Sequence, residues 1–192
     1  MKIYHFDIVK DILGFGNRLV IWSSGCPFSC DGCIVEELQS SKLGTDYKIE
    51  QFYNLIINYL DKIDGITFSG GEPLYQSKEL LDFLLLLPKE LDKMLFTGYD
   101  YNELNQNQIN CYNMFDLVIE GKFDNKKTGN FLWRGSSNQE IKSPTNKYQP
   151  ILKDLYNSKS AGLEININNK EIIYYGIPTK NNEIKKIANL LN

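Results

Sequence analysis

The stretch SSGCPFSCDGC, residues 23 to 33, holds three of the chain's four cysteines, Cys26, Cys30 and Cys33, in the spacing C-x3-C-x2-C. Thiolates set so close on one loop can converge on one metal centre. Structural zinc closes its shell with four ligands, and electron-transfer iron-sulfur clusters take four cysteines, one per iron in the cubane case. Three cysteines on a 4Fe-4S cube leave one iron without a protein ligand. An open coordination position is what a metal needs to bind a substrate, so a trio without a fourth member points to chemistry. Two other readings stand beside it. One is a zinc ion completed by His5, the only histidine, or by Cys111; the other is three cysteines packed as small hydrophobes without any metal. His5 precedes the loop and Cys111 lies far along the chain in a predicted helix, and ordinary packing is the expectation for each.

A second constellation is SGGEP at 69 to 73. GITFSGG, 65 to 71, reads as a buried strand ending in a glycine turn; paired glycines let backbone approach a ligand closely. Glu72 then offers an acceptor for a charged ammonium. The plainer reading makes SGGEP a helix start, with Glu72 favourable to the helix dipole. GFGNRL at 14 to 19 is not a dinucleotide fingerprint, because Leu19 stands at the third glycine position. Arg18 in that stretch and Arg134 in LWRGSSNQ (132 to 139) suit either a clamp on a partner's carboxylate or a loop anchor.

These residues need a scaffold, and the pattern predicts one. IYHFDIV (3 to 9), RLVIWSS (18 to 24), MLFTGY (94 to 99) and FDLVIEG (115 to 121) read as strands, rich in β-branched and aromatic residues. IEQFYNLIINYLDKI, 49 to 63, sets Ile49, Phe52, Tyr53, Ile56 and Leu60 on one helical face. SKELLDFLLLLP is a helix stopped by Pro88, and YNELNQNQINCY a weaker helix with Asn102 as its cap. Strand, helix, strand is the repeated unit, so the fold class is α/β, a parallel sheet with helices outside. KFDNKKTGNFLWRGSSNQ, 122 to 139, is long for a structureless loop and is expected to be functional or mobile. KSPTNKYQP (142 to 150) resembles a linker, GLEININNKEIIYYGIP (162 to 178) a β-hairpin turning at Asn168-Asn169, and NNEIKKIANLLN a closing helix.

With 192 residues the chain suits a single domain, 1 to 192, divided into a core of 1 to 141 and a linker, hairpin and helix over 142 to 192. A net charge of -3 supplies no global basic field, so neither nucleic acid nor an anionic membrane is an expected partner. The longest apolar run, LLDFLLLLP, is too short to span a bilayer, and the expected location is the cytoplasm.

Read together, C-x3-C-x2-C followed by SGGEP resembles the radical S-adenosylmethionine superfamily. The flanking stretches GFGNR, FTGYDYNELN, VIEGKF and LWRGSSNQ are similar to the activating enzymes of anaerobic (class III) ribonucleotide reductase, over roughly residues 1 to 141. Ile34, Phe15 and Glu120 depart from the family's usual aromatic, proline and aspartate. The resemblance implies a partial (β/α) barrel, open on one side, with its site at the strand C-termini. It implies a 4Fe-4S cluster on Cys26, Cys30 and Cys33, whose open iron is chelated by S-adenosylmethionine. Gly70, Gly71 and Glu72 would meet the methionine amino group; Gly32, Cys33 and Ile34 would lie near the adenine; Lys122, with Glu120 beside it, would face the methionine carboxylate; Thr97 would face the same cleft. The implied reaction is one-electron cleavage to methionine and a 5′-deoxyadenosyl radical, which takes a hydrogen from a glycine of the reductase's glycyl radical subunit. A one-electron donor such as flavodoxin or ferredoxin is implied as well. Rival readings keep the radical chemistry for another glycyl radical enzyme or a small molecule, or make the chain a metal-binding module without catalysis.

Overall fold

Side-chain parity along four short strands decides what faces what. The computed structural model describes residues 1–160, 162–167 and 172–178. In β2 (Asn17–Ser23), Leu19 and Ile21 turn to one core, whereas Val20 and Trp22 turn to another. β4 (Gly65–Gly70), β5 (Asp92–Thr97) and β6 (Leu117–Glu120) follow the same rule of two. Ile66, Phe68, Leu95 and Val118 join Leu19 and Ile21 under the helices, and Met94, Leu117 and Ile119 line the opposite, inner side. Burial on both faces accounts for the apolar runs VIW and LVI.

The helices are α1 (Ile49–Ile56), α2 (Ser77–Leu84), α3 (Gln106–Tyr112) and α4 (Leu152–Asn157). Phe52 and Ile56 of α1, with Leu80 and Phe83 of α2, form the centre of the outer core. The predicted apolar face of 49–63 is present, but the α-helix ends at Ile56 and a 3-10 turn, Ile57–Tyr59, completes it. For α3 the cap is Asn105, not Asn102: its side chain accepts from the Gln108 N–H, and Gln108 returns the bond.

β1 (Lys2–Lys10), β3 (Thr45–Asp46) and β7 (Glu140–Lys142) complete a seven-stranded sheet in the order β3-β1-β2-β4-β5-β6-β7. The pairs β2–β4, β4–β5 and β5–β6 are parallel, as expected of an α/β half-barrel. β1–β2, β1–β3 and β6–β7 are antiparallel, so the parallel region has antiparallel edges. A separate antiparallel hairpin, β8 (Leu163–Ile167) with β9 (Ile172–Gly176), packs over the inner side. The Asn168-Asn169 turn and the closing helix expected over 181 to 192 lie outside the described residues.

Two sequence features resolve into structural roles. Arg18 is 2% exposed; its guanidinium bonds Asp92 Oδ1 at 2.7 Å, Thr67 Oγ1 at 2.6 Å and the Ile66 carbonyl at 2.8 Å. A Cβ on Gly14 or Gly65 would strike this side chain at 2.4 Å, so those two glycines leave the room it occupies. Arg134 donates to the Tyr156 carbonyl at 2.6 Å and stacks 3.8 Å from the Tyr156 ring, fastening the 131–139 loop to α4. Both arginines are loop anchors. The stretch 142–150 is not a free linker either: Ser143 Oγ donates to the Asp116 carbonyl, and Tyr148 Oη to Asp92 Oδ2. Among the described residues no helix is long and apolar enough to cross a membrane.

Candidate functional site

The cysteine loop leaves the C-terminal end of β2, and four backbone contacts fix its start. Gly25 N–H donates to Leu38 O at 2.9 Å, and Cys26 N–H to Gln39 O at 3.1 Å. From the neighbouring strand, Gly71 N–H reaches Ser23 O at 2.8 Å and Glu72 N–H reaches Gly25 O at 2.9 Å. These contacts are why β4 ends in a glycine, Gly70, and is followed by another, Gly71. Gly70 has φ +99, and a Cβ there would lie 2.5 Å from Ser23 O; one on Gly71 would lie 2.4 Å from Gly25 O and 2.7 Å from Leu38 O. The close approach predicted from the paired glycines is made to the cysteine loop itself.

Replacing Gly71 by alanine therefore pushes a methyl into two carbonyls that have no flexible end to move aside. The expected cost is about 1–3 kcal/mol, with a lower iron content at equal protein; thermal melting and iron analysis of Gly71→Ala check both.

Glu72 is 1% exposed. Its Oε1 accepts from Thr97 Oγ1 and Leu74 N–H, each at 2.9 Å, and Oε2 accepts from Gly98 N–H at 2.7 Å. Burial pushes the carboxyl up to about 7, against the Gly98, Leu74 and Thr97 hydrogen bonds that hold it down. Glu72 also caps the helical turn Pro73–Gln76, so the plain reading of SGGEP as a helix start holds alongside its position at the cysteine loop. Thr97 is thus joined to Glu72 as expected from strand ends, and Gly98 is packed against Phe28: a Cβ there would lie 2.7 Å from that ring.

Cys26, Cys30 and Cys33 are partly exposed free thiols, and Cys33 N–H donates to Cys30 O at 3.2 Å. Burial pushes Cys26 up to about 11; the charges of Glu72, Cys30 and Cys33 add to it, against the Phe28 N–H. Cys30 is raised by burial and by Cys33, and lowered by the Phe123 N–H and the Lys122 charge. Cys26 and Cys30, both raised by burial and by a neighbouring sulfur, fit a cationic centre, which favours loss of their protons on binding. Among the described residues no three His, Cys, Asp or Glu are set to hold one metal ion. The proposed completers of a zinc site are engaged elsewhere. His5 stacks on Trp22 at 5.5 Å with Nε2 3.4 Å from Tyr175 Oη, and Cys111 is fully buried in the outer core, its thiol pushed up to about 12 by burial. The donor set suits a cluster taking one thiolate per iron.

Gly32, at φ +71, and Ile34 are exposed on the loop. Lys122 lies across from it, its Nζ 4.9 Å from the Phe28 ring centroid and 3.4 Å from Glu103 Oε1. Glu120 is not brought to this group. Like Val118 it points to the helix side of β6, where its carboxylate accepts from Tyr112 Oη at 2.6 Å and faces an open groove of about 750 Å³ lined by Tyr101, Tyr112, Lys142 and Leu152. Sequence reasoning did not single out Phe28 and Phe123, which sit against Gly98, Lys122 and Cys30. An aromatic inside a cysteine loop was the only signal available for Phe28.

A family model described as "4Fe-4S single cluster domain" matches residues 12–142. The anaerobic ribonucleoside-triphosphate reductase-activating protein of Enterobacteria phage T4 is 33% identical over 151 residues, covering 75% of this chain and 93% of that protein. The proteins of the same description from Haemophilus influenzae and Escherichia coli (strain K12) are each 31% identical, over 73% of this chain and 95% of their own length.

Proposed function

We propose, from the premise that this chain belongs to the anaerobic ribonucleoside-triphosphate reductase-activating family of radical S-adenosylmethionine proteins, how its own residues perform that activation. The chain is a radical activating enzyme whose partner is the anaerobic reductase. A bound 4Fe-4S cluster with S-adenosylmethionine supplies one-electron cleavage of the sulfonium and the hydrogen abstraction that leaves a radical on a glycine of the partner. Everything else is positioning by the protein.

Cys26, Cys30 and Cys33 would hold the cluster through three of its irons, leaving the fourth open to the cofactor. Glu72 receives the cofactor's ammonium, which favours the ionised form of a carboxyl that burial holds near neutrality. Thr97 and Gly98 keep the Glu72 carboxylate in place from β5. Gly70 and Gly71 set the cysteine loop against the end of β4. The backbone of Gly32, Cys33 and Ile34 would line the adenine. Lys122, half-exposed and in contact with Glu103 and the Phe28 face, would meet the cofactor's carboxylate. Glu120 enters this set through the strand end that carries Lys122, not through its carboxylate. The surface position of Asp31, Gly32 and Ile34 supports approach by a small one-electron carrier of the flavodoxin or ferredoxin kind. Four free cysteines suit the reducing cytoplasm.

The observation that carries this reading is the direct strapping of the cysteine loop to Gly71 and Glu72. Electron paramagnetic resonance on the reduced, iron-reconstituted protein tests it. A 4Fe-4S signal that changes on adding S-adenosylmethionine, followed by a glycyl radical when the reductase is supplied, is the expected result. A cluster indifferent to the cofactor overturns the open-iron assignment, and cleavage without a glycyl radical overturns the partner. Glu72→Gln keeps the shape and loses the charge; a charge-assisted bond contributes about 1.5–3 kcal/mol, so S-adenosylmethionine should bind roughly tenfold to a hundredfold more weakly in calorimetry while the cluster still loads.

A further inference from the structure

We propose that the hairpin β8–β9 is a removable cap over the inner face of the half-barrel, displaced when the partner's glycine-bearing segment enters; the identity of the displacing partner rests on the activating role proposed above. The hairpin is a two-stranded sheet of its own, paired Leu163 to Gly176 through Ile167 to Ile172, and among the described residues no main-chain ladder joins it to the larger sheet. Isolated two-stranded hairpins are marginal in water. Among the hairpin side chains that are described, Tyr175 alone is fully buried. Tyr175 is 3% exposed, whereas Ile173 and Ile177 are half-buried and Ile165 is 38% exposed.

Tyr175 stacks on Trp22 with centroids 5.3 Å apart and lies nearly parallel to His5 at 6.5 Å. Its hydroxyl donates to Asp7 Oδ2 at 2.6 Å and stands 3.4 Å from His5 Nε2. Beneath it are Val9, Val20, Trp22 and Phe96, the inward residues of β1, β2 and β5. Trp22 stands four residues before Cys26, so the anchored ring lies beside the root of the cysteine loop. Val20, Trp22 and Phe96 fall within the residues that match the family model, 12–142, and the hairpin falls outside them. The relatives are matched over 93% or 95% of their length by only three quarters or less of this chain. The face belongs to the family's common core, and its cover lies outside the matched residues, with Tyr175 as the one fully buried side chain among those described in it and Ile173 and Ile177 packed beside it. Segments with so few buried anchors open without global unfolding.

Hydrogen exchange read by mass spectrometry on the full-length, iron-loaded protein tests this, with and without the purified anaerobic reductase. In the free protein the amides of 163–167 and 172–176 should exchange about tenfold or more faster than those of β2 and β4. Adding the reductase should speed them further. Tyr175→Phe, which keeps the stack and loses the bond to Asp7, should tighten reductase binding roughly threefold. Hairpin amides that exchange no faster than β2 and β4, or that gain protection when the reductase binds, overturn the cap and make the hairpin a fixed wall. A reductase that does not bind at all overturns the activating role and the identity of the displacing segment, while the free-protein exchange still decides whether the hairpin opens.

Discussion

Cys30→Ala is expected to bring reductive cleavage of S-adenosylmethionine to background while leaving the fold intact. Cys30 sits on a partly exposed loop beyond the end of β2, outside all three apolar clusters. Its removal opens no cavity, so the melting temperature of the iron-free protein should stay within about 2 °C of the parent, as for a surface change. On the proposed ligand set it removes one of three, and a cube with one iron already free of protein ligands would be left with two such irons. Iron and sulfide content should fall together with cleavage. Cys111→Ala supplies the opposite pattern. That thiol is fully buried between α3 and the sheet, and its loss should cost about 1 kcal/mol with iron content and cleavage unchanged. Measured side by side, the two variants separate a ligand from a core residue. Equal cleavage in Cys30→Ala and the parent would remove the cluster from this loop.

The contrast between Cys30 and Cys111 was legible in the sequence because spacing carries it: three cysteines in one loop, one alone on a helix. The parallel region was legible too, through strands and helices that alternate at the right lengths. The direction of β1 was not assigned, although the signal existed. Only residues 11–16 separate β1 from β2, too few for the crossover that parallel neighbours need, and a hairpin follows. Asn105 was readable in the same way, since Asn105 with Gln108 three places on is the reciprocal cap pattern, and Asn102 with Asn105 is not. Glu120 is a matter of parity. It shares a side with Val118, and a residue two places from an outward position faces outward. Long-range partners were out of reach for a different reason: Arg18 and Asp92 are 74 residues apart, and nothing local to GFGNR says which carboxylate will meet the guanidinium.

Arg18→Ala should be the most destabilising single change at a polar residue of this protein. The guanidinium is 2.7 Å from Asp92 Oδ1, and the side chains of both are buried, at 2% and 9% exposure. Breaking a buried pair by removing one partner costs about 3–5 kcal/mol, because the other charge stays behind with less compensation; the Lys147 ammonium, 2.7 Å from Asp92 Oδ2, puts the expected cost toward the lower end. Against a total stability of roughly 5–15 kcal/mol, that is enough to unfold much of the protein on mild heating. The pH dependence follows from Asp92. Burial alone would raise its carboxyl; the Arg18 charge and the hydrogen bonds from Lys147, Tyr148 and Arg18 more than reverse that and hold it below its ordinary value. A carboxyl depressed in the folded state contributes stability above the unfolded value, and that contribution is lost as pH falls through the acid range. Without Arg18 the carboxyl keeps Lys147 and Tyr148 but loses the Arg18 charge that holds it down, so the stability it contributes above the carboxylate range shrinks. The penalty of Arg18→Ala should therefore be large at pH 7.5 and shrink toward pH 4.5, measured by urea unfolding at both. Arg18→Met with Asp92→Leu should recover part of the loss, because neither charge then remains buried alone. Had Arg18 been a clamp for the partner, Arg18→Ala would keep its melting temperature and lose affinity for the reductase, and that single result would overturn the anchor.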